Sequence, residues 1–185
     1  DKVLLRGLSD GAFTGQTQSM VALYLDDVPI TYSAPDPDLR LADVERVEIM
    51  RGPQGTLYGG GSLGGVMRIA TRKPDLDRYQ ASALAGASLT EGGGYGDELE
   101  AMANVPIVHG RVALRAVIYR ENQDGYIANR ALGLKRVNGS ERAGLRASLR
   151  AALVPGWTVT VGLTNQSINN ADTQYGLRRL GPRVR

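Results

Sequence analysis

"ERAGLRASLRAALVPGWTVTVGLT", residues 141–164, changes character at every second position. Ala143, Leu145, Ala147, Leu149, Ala151 and Leu153 share one parity, and Arg142, Gly144, Arg146, Ser148, Arg150 and Ala152 share the other. After Pro155-Gly156, Trp157, Val159, Val161 and Leu163 alternate with Thr158, Thr160, Gly162 and Thr164. A period of two predicts strands with unlike faces, and Pro-Gly between two such runs predicts a tight hairpin.

The same rhythm extends upstream. Tyr79, Ala81, Ala83, Ala85, Ala87 and Leu89 form one apolar parity, broken on the other only by Leu84. Leu99, Ala101, Ala103, Val105 and Ile107 form the next, and Val112, Leu114, Ala116 and Ile118 a third. Five consecutive alternating segments predict an antiparallel sheet. A soluble sandwich, with one face in a core and one in water, gives the same pattern over any single segment.

Three features favour a membrane barrel. The apolar face is mostly Ala, with few bulky residues to fill a sandwich core. The opposite face carries Arg111, Arg115, Arg142, Arg146 and Arg150 with Glu98 and Glu100, which a wet lumen accepts and lipid does not. The connections alternate long and short: "TEGGGYGDE", "VHG", "ENQDGYIANRALGLKRVNGSE" and "PG". That order suits extracellular loops and periplasmic turns, and it places Trp157 and Tyr79 at the periplasmic interface, where aromatic girdles form. Known barrels start at about eight strands, so five imply a piece of a larger one. The opening Asp1-Lys2-Val3, with neither an initiator Met nor a signal-peptide pattern, reads the same way.

Composition excludes other classes. The 185 residues carry 22 basic and 19 acidic side chains, a net charge of +3, too mild to argue for nucleic acid. There is no Cys, hence no disulfide framework or thiolate metal site. No unbroken apolar run is long enough for a spanning helix. The lone His109 falls in a predicted short turn with no cluster of ligands around it, and reads as a turn residue.

Residues 1–74 have a different texture: short apolar stretches at 3–5, 21–25, 44–50 and 66–70, separated by Gly, Asp, Pro and Ser. Within "RGPQGTLYGGGSLGGVMRIATRKP", residues 51–74, Gly59, Gly61 and Gly64 have the spacing G-x-G-x-x-G. A dinucleotide site needs a helix after those glycines and an acid about 20 residues on. Here "VMRIAT" is short and β-branched, no acid stands near position 84, and no Gly-Lys-Ser/Thr follows for a P-loop. The glycines serve turns and close backbone approach. Asp26-Asp27, between 21–25 and Val28, predicts a hairpin turn rather than a carboxylate pair for catalysis or metal.

At residues 44–74, "VERVEIMRGPQGTLYGGGSLGGVMRIATRKP" resembles the end of the plug domain of TonB-dependent outer-membrane receptors. The matching pattern includes Arg46, Glu48, Arg51, Gly52, Pro53, Leu57, Tyr58, Gly59, Gly64 and Gly65. "LLRGL" and "VALYLDDVPI" resemble earlier plug strands, with Asp26-Asp27 where the family usually has Asp-Gly; two-residue hairpins favour Gly at positive φ, so a looser turn is expected.

The resemblance implies an α+β plug domain with a small mixed sheet over residues 1–74, followed over 75–185 by the first, about five, antiparallel strands of a transmembrane β-barrel. It implies uptake of a scarce ligand, an iron-siderophore complex being the commonest, across the bacterial outer membrane, powered through the TonB complex of the inner membrane. It implies no catalysis, cofactor or structural metal. Arg46, Glu48 and Arg51 are then lumen-facing ion-pair partners, against the alternative of an ordinary solvated face. Residues 10–19 and 31–38 become apical plug loops, with Gly15, Gln16 and Tyr32 as substrate-contact candidates. A passive porin-like channel is the alternative, disfavoured because a porin has no plug before its first strand; a soluble nucleotide-binding protein is a further one.

Overall fold

Among the described residues of the first half, four strands arise where small or β-branched apolar residues cluster: β1 (Val21–Leu25), β2 (Val28–Pro29), β3 (Val44–Arg51) and β4 (Gly65–Thr71). The computed structural model describes residues 20–31, 38–129 and 132–171. The strands form one mixed sheet in the order β2-β1-β4-β3, with β1 and β4 parallel and both outer pairings antiparallel. Val21, Ala22 and Leu23 of β1 and Val66, Ile69 and Ala70 of β4 are buried, so the two central strands supply the core of this unit. The outer strand β3 is charged and largely exposed, a common way to blunt a sheet edge.

The glycine-rich stretch lies between β3 and β4 and holds a single helical turn, α1 (Gly55–Tyr58). Gly52, at φ +91°, turns the chain out of β3, and its N–H donates to the Gly64 carbonyl at 3.2 Å. Gln54 N donates to Ser62 O at 3.1 Å, and Gly64 N donates to Met20 O at 2.8 Å. The loop thus closes on itself and delivers Gly65 beside Val21. A strand, not a helix, follows the glycines, so the phosphate-cradle geometry is absent here.

In the second half the alternation becomes β5 (Gln80–Leu89), β6 (Tyr95–Val108), β7 (Val112–Gln123), β8 (Ser140–Val154) and β9 (Trp157–Asn170). They pair in sequential order, each antiparallel to its neighbours. The register keeps faces aligned across the sheet: Ala81, Ala103, Ala116, Ala147 and Leu163 stand in one cross-strand row, and Gln80, Asn104, Arg115, Ser148 and Gly162 in another.

The apolar face is the open one. Ile118 is 55% exposed and Leu163 62%, whereas on the polar face Asn104 is 1% exposed and Arg115 4%. A soluble sandwich has the reverse arrangement, so that reading falls. Hiding a large aliphatic side chain from water is worth about 1.5–3 kcal/mol, and a row of them left open calls for an apolar surrounding. No helix among the described residues is long and apolar enough to cross a membrane. Trp157 and Tyr79, 71% and 75% exposed, stand at the short-turn end of this face.

The strands run further than the sequence pattern predicts. The alternation fades near residues 98, 119, 142 and 164, but pairing continues to Tyr95, Gln123, Ser140 and Asn170. Past Ile118 and Ala143 the apolar side gives way to charge, and Arg120 Nη2 meets Glu141 Oε1 at 3.0 Å on what was the apolar side. The backbone ladder outlasts the apolar band because hydrogen bonding needs no hydrophobic face. The first connection therefore shrinks to residues 90–94 and the third to 124–139, while 109–111 and 155–156 stay short. The third has its own order: Asn138 Oδ1 accepts N–H bonds from Tyr126 and Ile127 at 2.7 and 2.8 Å, over a buried Ile127.

By contact density the chain divides into two compact units, Asp1–Arg72 and Lys73–Arg185.

Candidate functional site

The sequence in β4 places Arg68 opposite Glu48 of β3 on one side and Tyr24 of β1 on the other. From this position the guanidinium reaches three residues, two in the β1–β2 turn and one in β3. Its Nε donates to the Asp26 carbonyl at 2.7 Å, Nη2 to Asp27 Oδ1 at 2.6 Å and Nη1 to Glu48 Oε2 at 3.0 Å. Glu48 also accepts from Arg46 Nε at 2.7 Å, while Arg46 Nη1 reaches Glu45 Oε1 at 2.8 Å. The Glu48 carboxyl is held below its ordinary range by the hydrogen bond from Arg46 first and that from Arg68 second, against a smaller opposing effect of burial. Arg68 is favoured in its charged form mainly by Glu48.

Asp26-Asp27 forms the expected turn, but a tight one, with Leu25 facing Val28. The positive φ, +54°, falls on Asp26 and not on Asp27, where the family's usual Gly stands. Asp tolerates this region better than most residues, and its side chain is occupied: the carboxylate accepts Thr71 N–H at 2.9 Å and Thr71 Oγ1 at 2.8 Å. Two residues before this turn in β1, Tyr24 packs edge-on against Tyr58 with centroids 5.1 Å apart and donates its hydroxyl to the Tyr58 carbonyl at 2.9 Å.

The motif residues thus separate by role. Gly64 and Gly65 are buried at the start of β4, Gly52 and Gly59 turn the chain at φ +91° and +71°, and Tyr58 is half-buried beside Tyr24. Arg51, Pro53 and Leu57 are exposed within this unit. Arg46 and Glu48 pair with each other and with near neighbours on the same sheet. Gly15, Gln16 and Tyr32, and nearly all of both candidate apical loops, lie outside the described residues; Thr31, at the edge of the second loop, accepts Leu23 N–H on Oγ1 at 2.8 Å. Sequence reasoning missed Arg68 and the double use of Asp26 and Asp27, because nothing local shows that positions 26, 48 and 68 meet.

On the polar face of the second unit, side chains lie across neighbouring strands. The Tyr119 ring covers Gly144, where any Cβ would collide with it, and its hydroxyl donates to Gln166 Oε1 at 2.6 Å. Arg142 Nη1 meets Glu121 Oε2 at 3.2 Å. Small residues at Gly86, Ser88 and Gly96 leave a cavity of about 250 Å³ beside Glu98 and Glu121. His109 sits in the β6–β7 turn with Nε2 3.4 Å from Asp77 Oδ1. Among the described residues no group of three or more His, Cys, Asp or Glu could hold a metal ion. The surface suits hydrated or hydrogen-bonding contents.

Residues 1–66 match the family model described as the TonB-dependent receptor plug domain. The pesticin receptor of Yersinia pestis is 34% identical over 135 residues, covering 71% of this chain and 19% of that receptor. The metal-pseudopaline receptor CntO of Pseudomonas aeruginosa is 45% identical over 47 residues, 25% of this chain and 6% of the relative. The crystal structure of the ferric yersiniabactin uptake receptor FyuA from Yersinia pestis superimposes with a TM-score of 0.72 at 25% identity, over 99% of this chain and 28% of that one. The pyoverdine outer-membrane receptor FpvA of Pseudomonas aeruginosa shares the fold, with a TM-score of 0.67 at 23% identity over 89% of this chain and 22% of that one. The chain spans about a fifth of the length of the curated pesticin receptor it matches.

Proposed function

The chain belongs to the TonB-dependent receptor family of the outer membrane, and from that premise we propose that it serves energised uptake of an iron-siderophore complex. The family consists of transport receptors and not enzymes. In this reading the plug domain runs to Pro74 and the barrel wall begins at Asp75, with the apolar sheet face against lipid and the polar face toward the lumen. The edges of β5 and β9 then pair with further wall strands, because open edges in lipid cost several kcal/mol per unpaired group.

One observation carries the proposal: a sheet with its apolar face open, and with side chains of the polar face buried on its central strands β6–β8, follows a plug domain in the same chain. A passive pore has no use for a plug. The names of two relatives support the ligand class, a ferric yersiniabactin uptake receptor and a ferrioxamine B receptor. Gly15, Gln16 and Tyr32 are the proposed contacts on the plug's loops, where an amide and a phenol ring suit a polar chelate. The TonB complex is the proposed energy partner.

The test is uptake of radioiron-loaded yersiniabactin and ferrioxamine B by cells whose only candidate receptor is the full-length protein. Expected is uptake of at least one chelate, abolished by a protonophore. Uptake that survives the protonophore would establish the passive channel instead, and absence of uptake of both would remove the siderophore assignment.

A further inference from the structure

The segment that opens the second unit, residues 74–80, has the composition of a linker but not its contacts. Asn104, 1% exposed on the polar face of β6, is directed at it. Its Oδ1 accepts Asp75 N–H at 2.9 Å, and its Nδ2 donates to the carbonyls of Asp75 at 2.9 Å and Arg78 at 2.7 Å. Both donors and the acceptor of one buried amide are thus spent on the backbone of this segment. Arg150 Nη1 donates to Pro74 O at 3.3 Å, Gly110 N to Leu76 O at 3.0 Å, and Arg115 Nη1 to Gln80 Oε1 at 3.0 Å. Inside the segment, Asp75 Oδ1 accepts Asp77 N and Arg78 N at 2.9 and 3.2 Å, which forms a side-chain-closed turn. Pro74 adds a fixed φ.

Hinges have few buried contacts and many solvent-facing backbone groups. Here β6, the β6–β7 turn and β8 hold the backbone of residues 74–78, and β7 holds the side chain of Gln80, the first residue of β5. We infer that residues 74–80 are a fixed anchor on the barrel wall, with Asn104 as the positioning residue, and that rearrangement of the plug during uptake leaves this segment in place. The statement about uptake rests on the transport reading above; the anchoring itself does not.

Two measurements on the full-length receptor in lipid test it. In hydrogen exchange, Asn104→Ala should speed exchange at the Asp75, Asp77 and Arg78 amides by at least about tenfold, since one buried hydrogen bond is worth about that factor in opening. Exchange as slow as in the parent overturns the anchor. The second arm keeps Asn104. Asp77 and His109, both exposed and 3.4 Å apart across the β6–β7 turn, become D77C and H109C in a sequence that has no Cys. They are joined by a short reducible thiol bridge. The bridged receptor should take up the radioiron chelates within about twofold of the reduced one, and the bridge placed in Asn104→Ala should restore slow exchange, which a general folding defect would not allow. Uptake lost on bridging and regained on reduction would show that the segment moves, and overturn the inference. Should the parent take up neither chelate, the transport reading fails while the exchange measurement still decides the anchor.

Discussion

The carboxylate of Asp26 accepts two hydrogen bonds from Thr71, one from its backbone N–H at 2.9 Å and one from its hydroxyl at 2.8 Å, across 45 residues of sequence. Asp26 N–H in turn donates to Ile69 O at 2.8 Å. The β1–β2 turn is therefore fastened to the last strand of the first unit by both backbone and side chain. That gives a reason for an acid at a position held at positive φ.

Asp26→Ala removes both acceptor bonds and leaves a β-carbon in a disfavoured backbone region. The expected cost is about 2–4 kcal/mol locally. Asp26→Asn keeps one acceptor and the tolerance of positive φ, so it should cost about half as much. Hydrogen exchange at Ile69 to Thr71 in the full-length receptor measures both, and equal protection in the two variants would contradict the account.

Arg68 joins Asp26, Asp27 and Glu48 through a planar fork that Lys cannot copy. Arg68→Lys should loosen the 25–28 turn almost as much as Arg68→Ala. A double-mutant cycle between Arg68 and Glu48 should give a small favourable coupling, because both side chains are partly exposed, and high salt should reduce it. A coupling that salt leaves unchanged would rule out this electrostatic picture.

The depressed pKa of Glu48 has a signed consequence. Its stabilising contribution is fully present above the ordinary carboxylate value of 4.5 and is lost as pH falls through the lower folded value. Protease susceptibility of the first unit should rise on acidification below that value, and Glu48→Gln should flatten this component by lacking the ionised state at every pH. An unchanged acid limb in Glu48→Gln would assign the effect to other carboxylates.

Tyr119 reaches Gln166 only because Gly144 has no side chain beneath its ring. Gly144→Val should displace the ring and break that bond, at about 1–3 kcal/mol. Tyr119→Phe should lose only the hydrogen bond, about 1 kcal/mol. Thermal unfolding of the full-length barrel in detergent ranks the two, and a Gly144→Val melting point equal to the parent's would refute the packing.

The two faces of β9 are predicted to respond oppositely to charge. Leu163→Arg on the open apolar face should cost about 2–4 kcal/mol in a bilayer, whereas Thr164→Glu, paired with Arg146 across the ladder, should be near neutral. Reversible unfolding in lipid vesicles distinguishes them. Equal costs would mean that the two faces do not meet different solvents.

The alternation from Tyr79 to Leu163 already contained the strands and their faces, since a period of two maps directly onto the pleat. The alternation could not mark the strand ends. Tyr95, Gln123, Ser140 and Asn170 continue a hydrogen-bonded ladder that leaves no hydrophobic trace. Nor could it choose between sandwich and barrel wall on pattern alone; the exposure of Ile118 and Leu163 beside the burial of Asn104 and Arg115 made that choice.

Local order and solvent preference were thus legible in the sequence itself: short apolar stretches and a glycine-rich turn at 51–65, then alternating strands with an Ala-rich apolar side, while the mixed sheet was expected from the family resemblance. Tertiary structure alone decided which distant polar groups meet. Arg68 finds Asp27 and Glu48, Asp26 finds Thr71, and Asn104 finds the backbone at 75–78. Such contacts depend on strand register and crossover, which bring together residues between 20 and 45 positions apart. Hydrophobic periodicity records the solvent on each side of a strand and carries no information about which strand lies next to it.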